Sequence, residues 1–390
     1  MAAARPGPGA GHATPRDLER VAAKIGRGER LSFDDGVALF RHPDWVGVGD
    51  LAHADRTRRH ADSAYFNHNL RLSITNVCAA SCPLCSFARR EATDPGAYTM
   101  TLEQAWRELE MRMDDPPTEI HLTGGLNPDL PFSYYEQLLR GLRRIAPDIV
   151  LKCFSAVEIH FFSERFRMSH EEVLTRLAAA GLRSLPGGGG EIFHPDVRGR
   201  IAPRKASAQE YLEVHRTAHR LGMKTSATML YGHVETFEHR VDHLLRIRAL
   251  QDETGGFRAF VPLAFHPAGN EMHGLLGSGG VDDLRTIAVS RLVLDNVDHI
   301  KAYWVSMTPK VAQIALRFGA DDLDGTSPGE AIYRAAGSQS PRSMTRQMLV
   351  QIIREAGLVP VERGADDRGV EHLAKTAARP GVAEHQEGAS

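Results

Sequence analysis

From residue 70 to residue 325 the chain alternates between short apolar runs rich in β-branched residues and longer helical patterns. The runs are LRLSITNV (70–77), TEIHLTG (118–124), IVLKCFSAV (149–157), LRSLPG (182–187), MKTSATMLY (223–231), FRAFVPLAF (257–265), HIKAYWVSM (299–307) and, more weakly, ADDLDG (320–325). Several helical segments between them, such as SAQEYLEVHRTAHRLG, start at Ser, Thr or Asp and stop at Gly, as helix ends require. Strand followed by helix, eight times over, predicts an α/β fold of the (β/α)8 barrel type. An open doubly wound sheet is the competitor, and no G-x-G-x-x-G opens the first unit to support it. The distinctive residues fall just after the strands: three cysteines, Gly124-Gly125, Glu158, Gly187 to Glu191, Gly232 to Glu235, His266-Pro267, Thr308 to Lys310 and Asp324 to Thr326. In a barrel these positions share the C-terminal face, where active sites are built, so an enzyme is expected.

The barrel is expected over 70–362, preceded by an N-terminal helical extension at 15–69. DLERVAAKIG has Asp17 as a candidate N-cap and Gly26 as a stop; SFDDGVALFRH has Ser32 with Asp35 as a capping-box acid. A Pro/Gly/Ala leader (1–14) and a tail poor in apolar residues (363–390) read as disordered. Lysine and arginine total 47 against 49 aspartates and glutamates, which gives no electrostatic case for nucleic acid or a membrane surface. Nothing approaches the roughly 18 consecutive apolar residues of a spanning helix, and the N-terminus lacks the apolar core of a signal peptide. Four cysteines in 390 residues, three of them clustered, argue for a reducing compartment and hence the cytoplasm.

Those three cysteines lie within TNVCAASCPLC (75–85), spaced C-x3-C-x2-C. The thiolate is the metal-binding form, and zinc and iron both favour it. Structural zinc is normally closed by four ligands; no fourth cysteine is near, and only His121 or His160, if the fold delivered one, would complete such a site. Three thiolates on one loop instead suit three corners of an iron–sulfur cubane with the fourth iron left open, where four cysteines are the usual complement. Cys153, inside a strand, reads as a small core hydrophobe.

This cysteine spacing, in the loop after the first barrel strand, resembles the hallmark of the radical S-adenosylmethionine superfamily. Longer runs, among them EIHLTGGLNPDLPFSYYEQLLR, LPGGGGEIFHPDVR, KAYWVSMTPKVAQIALRFGADDLDGT and IREAGLVPVER, are similar to the aminofutalosine synthase family of menaquinone biosynthesis, over roughly residues 17 to 363. The resemblance implies a [4Fe–4S] cluster on Cys78, Cys82 and Cys85, with S-adenosyl-L-methionine as co-substrate on the free iron. It implies addition of the adenosyl group to the enolpyruvyl methylene of 3-[(1-carboxyvinyl)oxy]benzoate, migration of the aryl group from oxygen to carbon, and loss of carboxylate. A low-potential electron donor such as flavodoxin or ferredoxin is the implied partner. A divergent paralogue using another enolpyruvyl-type acceptor, or a hydrogen-abstracting enzyme of the dehypoxanthine futalosine cyclase kind, are the alternatives.

Under the same resemblance Gly124 and Gly125 let backbone approach the methionine moiety, and Glu191 meets the cofactor ribose or ammonium. Leu84 stands where the family pattern has an aromatic residue against adenine. The acceptor's two carboxylates need cations or aimed amides, for which His233, His266 and Lys310 are candidates, with Glu235, Asp322 and Asp324 to orient them or close the barrel floor. Trp304 and Tyr231 are candidate pocket walls, though such aromatics are more often core. Asn127, in GGLNP, replaces a histidine expected to face the active site, and Ser306-Met307-Thr308 and Ser327 also depart from the pattern.

Overall fold

The computed structural model describes residues 15–364, so the expected leader and residues 365–390 of the expected tail lie outside the described residues. Three helices, α1 (Pro15–Gly26), α2 (Phe33–Arg41) and α3 (Trp45–His60), precede β1 (Ser63–Asn67) and β2 (Asn69–Ser73). The chain then runs α4 (Leu102–Glu110), β3 (Glu119–Thr123), α5 (Phe132–Ile145), β4 (Val150–Cys153), α6 (Ala156–Phe166), α7 (His170–Ala180) and β5 (Ser184–Leu185). Next come α8 (Pro195–Ile201), α9 (Ala208–Arg220), β6 (Lys224–Tyr231), α10 (Phe237–Thr254), β7 (Phe257–Ala264) and α11 (Gly280–Val293). The last elements are β8 (His299–Ile300), α12 (Trp304–Met307), α13 (Pro309–Ala315), β9 (Asp322–Gly325), α14 (Ile332–Ala335), α15 (Arg346–Glu355) and β10 (Val359–Glu362).

β2 to β8 form one parallel sheet in sequence order, as crossover helices demand. β9 takes the eighth place without a full ladder. It meets β8 through a single parallel bridge, Lys301 to Asp322. Beyond it, the Arg71 N–H donates to Pro328 O at 2.9 Å and the Ser327 N–H to Asn69 Oδ1 at 2.7 Å, which returns the chain to β2. The barrel is therefore closed at a seam of single contacts. Outside that seam β1 pairs in parallel with both β9 and β10. Ile120, Leu122, Leu151 and Ile300 belong to the buried hydrophobic core that the sheet and its helices share, and among the described residues no helix is long and apolar enough to cross a membrane.

All eight expected strands are present, several of them shorter. The ends of 149–157 and 299–307 are helical instead, in α6 and α12. For α6 the cause is local: Ser155 accepts from the Glu158 N–H, and the Glu158 carboxylate accepts from the Ser155 N–H at 2.7 Å, so a capping box interrupts the apolar run. The expected all-helical extension ends in β1, and β10 occupies a segment given no strand. Each pairs with the far end of the chain, which no local pattern announces. Asp17 lies in the first turn of α1 rather than capping it. Arg363, assigned to the tail, is buried and donates to Asp322 from Nε at 2.8 Å.

Ser32 and Asp35 do form the capping box of α2, and Asp35 binds more than its helix. Its buried carboxylate accepts from Lys24 Nζ at 2.7 Å and from Arg20, tying α1 to α2. Burial opposes that charge, yet Lys24, Ser32 and Arg20 hold the Asp35 carboxyl below its usual range. Asp35→Asn is expected to cost about 2 kcal/mol in a denaturant titration near neutral pH, as loss of a cap and of a buried ion pair. A depressed carboxyl stabilises above its unfolded value and loses that contribution in acid, so the gap from wild type is expected to shrink below about pH 4.

Candidate active site

The strands' C-terminal ends enclose a cavity of about 280 Å³, the scale of a small-molecule site. Cys78, Cys82, Cys85 and Leu84 line it. Backbone bonds fix their loop: Cys78 N–H donates to Arg89 O at 2.7 Å, and Ala79 N–H to Leu126 O at 2.9 Å. Ser81 has a positive φ (42°), and so do Phe154 and Glu191 after later strands and Asp324 near the end of β9. Non-glycine residues pay for such backbone, and its concentration at strand ends marks a surface shaped for a ligand. Burial pushes the Cys82 thiol up to about 11, with Lys205 pulling the other way.

Among the described residues, potential ligand atoms that lie within 4.8 Å of one another are those of His60, His299 and Asp321, away from the cysteine loop. His160 is no fourth ligand either; its Nδ1 contacts His170 at 3.2 Å on the outer helices.

Gly124, Gly125 and Glu191 also line the cavity. Glu158 Oε1 accepts the Gly124 N–H at 3.1 Å, and burial lifts the Glu158 carboxyl to about 7 against the bonds from Ser155 and Gly124. Glu191 pairs with Lys205; burial opposes its charge, yet Lys205 keeps its carboxyl below the ordinary value. The Gly187–Gly190 corner is clamped rather than loose. Arg198 donates to Gly190 O at 2.9 Å and Gly189 O at 3.0 Å, and the Tyr211 hydroxyl donates to Gly187 O at 2.7 Å. His266 reaches the cavity with Nε2 held by Ser306 O at 2.7 Å and its ring edge-on to Tyr333.

Five residues expected at the site are elsewhere. The Asn127 amide is spent on Thr75 Oγ1 at 3.2 Å, Thr99 Oγ1 at 3.0 Å and the Asp129 N–H at 2.9 Å, which buries it beneath the cysteine loop instead of in the cavity. His233 is enclosed between Leu230 O at 3.0 Å and Glu235 at 2.9 Å, because the positive φ of Gly232 turns the chain away from the opening. Lys310 is exposed on α13. Trp304 donates to Gly325 O at 2.9 Å and Tyr231 to Asp283 at 2.9 Å, both as core residues.

The basic residues lie deeper, at Arg71 and Lys152, which the sequence reading passed over, and at His121, which it named only as a possible fourth metal ligand. Arg71, His121 and Lys152 line the cavity and are register partners on β2, β3 and β4. Arg71 donates to Asp324 Oδ2 at 2.5 Å, and Lys301 Nζ donates to Asp324 Oδ1 at 2.8 Å. Burial, then Arg71 and Lys152, holds His121 well below its usual pKa, hence neutral. Burial lowers Lys152 to about 8, partly offset by Glu119. A signal did exist: each is the single polar residue between two apolar ones, in LRL, IHL and LKC.

With this geometry in place, comparisons with known proteins become informative. Residues 72–247 match the Radical SAM superfamily and residues 254–372 the CofH/MqnC C-terminal region. The chain is 47% identical over 349 residues to an aminodeoxyfutalosine synthase of Thermus thermophilus, covering 88% of this chain and 94% of that one. It is 44% identical over 359 residues to an aminodeoxyfutalosine synthase of Streptomyces coelicolor, covering 89% and 92%. Among solved structures, HydG, a maturase of the [FeFe]-hydrogenase, superposes with a TM-score of 0.71 at 15% identity over 89% of this chain and 76% of that one, a likeness of fold alone.

One glycine tests how tightly the cysteine loop is built. A Cβ on Gly125 would stand 2.1 Å from Val77 O, the carbonyl just before Cys78, whereas one on Gly188 meets nothing nearer than Ser155 Cβ at 3.6 Å. Gly125→Ala is expected to cost about 1–3 kcal/mol by denaturant midpoint and to speed the reaction of Cys82 with a thiol reagent; Gly188→Ala leaves both unchanged.

Proposed function

The chain belongs to the radical SAM superfamily, in the group with a CofH/MqnC C-terminal region, and from that premise we propose that it is an aminodeoxyfutalosine synthase of menaquinone biosynthesis. The reaction joins C5′ of S-adenosylmethionine to the methylene of 3-[(1-carboxyvinyl)oxy]benzoate, shifts the aryl group from oxygen to carbon and releases carboxylate and methionine. Identity of 44–47% across about nine-tenths of the chain supports this acceptor over the alternatives.

The observation that carries the reading is a C-x3-C-x2-C trio of thiols on the wall of the cavity at the strands' C-terminal ends, beside Gly124, Gly125 and Glu191. Cys78, Cys82 and Cys85 would hold a [4Fe–4S] cluster as thiolates, the metal offsetting the burial of Cys82. When bound, the cluster supplies the electron, passed on from a flavodoxin- or ferredoxin-type donor, that cleaves the sulfonium reductively. The chain's own groups bind and orient. Gly124 and Gly125 admit the methionine moiety close to backbone, Glu191 with Lys205 meets its ribose or ammonium, and Leu84 gives adenine an apolar wall. His266, with Nε2–H held by Ser306 O, presents its other ring nitrogen as an acceptor. Asn127 and His233 act as positioning residues, bracing the cysteine loop and the turn after β6. Free thiols of this kind suit a reducing setting such as the cytoplasm.

Anaerobically reconstituted protein, reduced in the presence of both substrates, is expected to yield methionine and an adduct that retains the adenosyl carbons, read by mass spectrometry. Cys82→Ala is expected to lose iron and turnover together while circular dichroism stays unchanged. Release of 5′-deoxyadenosine with a dehydrogenated acceptor would overturn the proposal in favour of hydrogen abstraction.

A further inference from the structure

The cavity floor has a chemistry that the adenosyl donor does not use. Arg71, His121 and Lys152 occupy one rung across three adjacent strands. Barrel interiors at such levels are usually filled by branched aliphatic side chains. Polar groups there are costly unless partnered, and these are incompletely partnered. Arg71 Nε, His121 Nδ1 and the hydroxyl of Tyr303 are buried with no hydrogen-bond partner among the described residues. Tyr303 is 4% exposed, and its ring lies under the Arg71 guanidinium at 4.8 Å. The carboxylate paired with Lys152 Nζ, Glu119, stands 3.6 Å off, beyond a good hydrogen bond.

The carboxylates facing this level are only partly occupied. Asp324 is shared by Arg71 and Lys301, and Asp322 is taken by Arg363. Glu330, on the cavity wall, accepts from the Tyr333 N–H at 2.9 Å through one oxygen, while its Oε2 and Glu119 Oε2 are buried with no partner among the described residues. Against them stand a guanidinium, an imidazole, an ammonium and a phenol, more N–H and O–H donors than these two oxygens can satisfy. A planar carboxylate, with two oxygens and about four lone pairs, satisfies such a set.

Height decides which carboxylate. Gly124 lies three residues beyond His121 on β3, about 10 Å along the strand. The cysteines and Gly124 mark the upper level, where the reacting methylene must sit. Leu230, Val261 and Leu263 supply apolar wall of the kind an aromatic ring requires. We propose that the Arg71–His121–Lys152 rung, with Tyr303, receives the carboxylate on the aryl ring of the acceptor, so that the molecule stands lengthwise in the barrel with its enol ether uppermost. This rests on the proposed reaction for the acceptor's identity, but the rung's preference for an aryl carboxylate is measurable without turnover.

The test uses reconstituted holoenzyme and two unreactive probes, 3-(carboxymethoxy)benzoate and phenoxyacetate, which differ by the aryl carboxylate alone. Calorimetry is expected to show the dicarboxylate binding at least about tenfold tighter, the scale of one charge-assisted contact. Lys152→Met is expected to erase that preference by weakening the dicarboxylate alone, and Lys152→Arg to keep it. Equal binding of the two probes to wild type overturns the proposal, and this comparison needs no variant. A Lys152→Met protein that weakens both probes alike overturns it too, since that is the mark of a structural lysine. Wild-type protein that prefers the dicarboxylate yet forms no adduct defeats the proposed reaction and leaves the subsite standing.

Discussion

The carboxylate of Asp324 holds this barrel shut. β8 and β9 share one bridge, and β9 reaches β2 through isolated hydrogen bonds, so no ladder spans the seam. Asp324 crosses it with both oxygens, one to Arg71 on β2 and one to Lys301 just past β8. Burial works against its charge, yet the two cations hold its carboxyl well below the usual range. A buried ion network is weak evidence of net stability, since apolar residues of equal volume often do as well. Its value here is geometric. Aliphatic packing would close the seam and leave a dry plug, whereas an ionic closure leaves a charged floor under the cavity.

From that floor upward the chemistry is sorted by height, because successive inward residues of a strand stand at successive depths. Rigid strand interiors supply the Arg71, His121 and Lys152 rung. Strand ends supply Gly124, Glu158 and Glu191, where capping and positive φ set the backbone. A loop supplies the thiols, yet it is secured at both flanks by backbone bonds to Arg89 and Leu126. Burial shifts Glu158 upward and Lys152 downward, toward neutrality in each case, while Glu191 keeps its charge because Lys205 is beside it. The difference lies in pairing, not depth.

Much of this was legible in the sequence, and the part that was not has a common cause. Strand–helix alternation and the C-x3-C-x2-C loop are local patterns, and both are present where expected. Capping at Ser155 was equally local but masked by the apolar run around it. β1 and β10 exist only through pairing across nearly the whole chain, which composition cannot reveal. Asn127 and His233 were expected at the opening from their place after strands. Placement after a strand gives the level of a residue but not the direction of its side chain, and here Asn127 turns to the hydroxyls of Thr75 and Thr99 and His233 to the Leu230 carbonyl. Arg71 and Lys152 were overlooked, and His121 was considered only as a metal ligand, for the converse reason. A lone polar residue in a strand normally faces solvent, and only a closed barrel makes that alternate face an interior.

That closure bears on how such a fold divides its tasks. An adenosyl donor presents the same ribose, sulfonium and amino acid whatever the acceptor, so groups at the upper level have little to gain by varying. Discrimination among acceptors then falls to residues that touch only the acceptor, and the rung proposed to receive its aryl carboxylate lies below the strand ends. Strand interiors suit the task, because side chains fixed by packing and register lose little freedom on binding and hold their geometry better than loops. The two tasks meet at Arg71, which belongs to the rung and also pairs with Asp324, so a substitution there alters floor and seam together. Under the proposed subsite, acceptor preference and barrel closure are coupled at that ion pair, whereas Lys152, paired with Glu119, changes the floor without touching the seam.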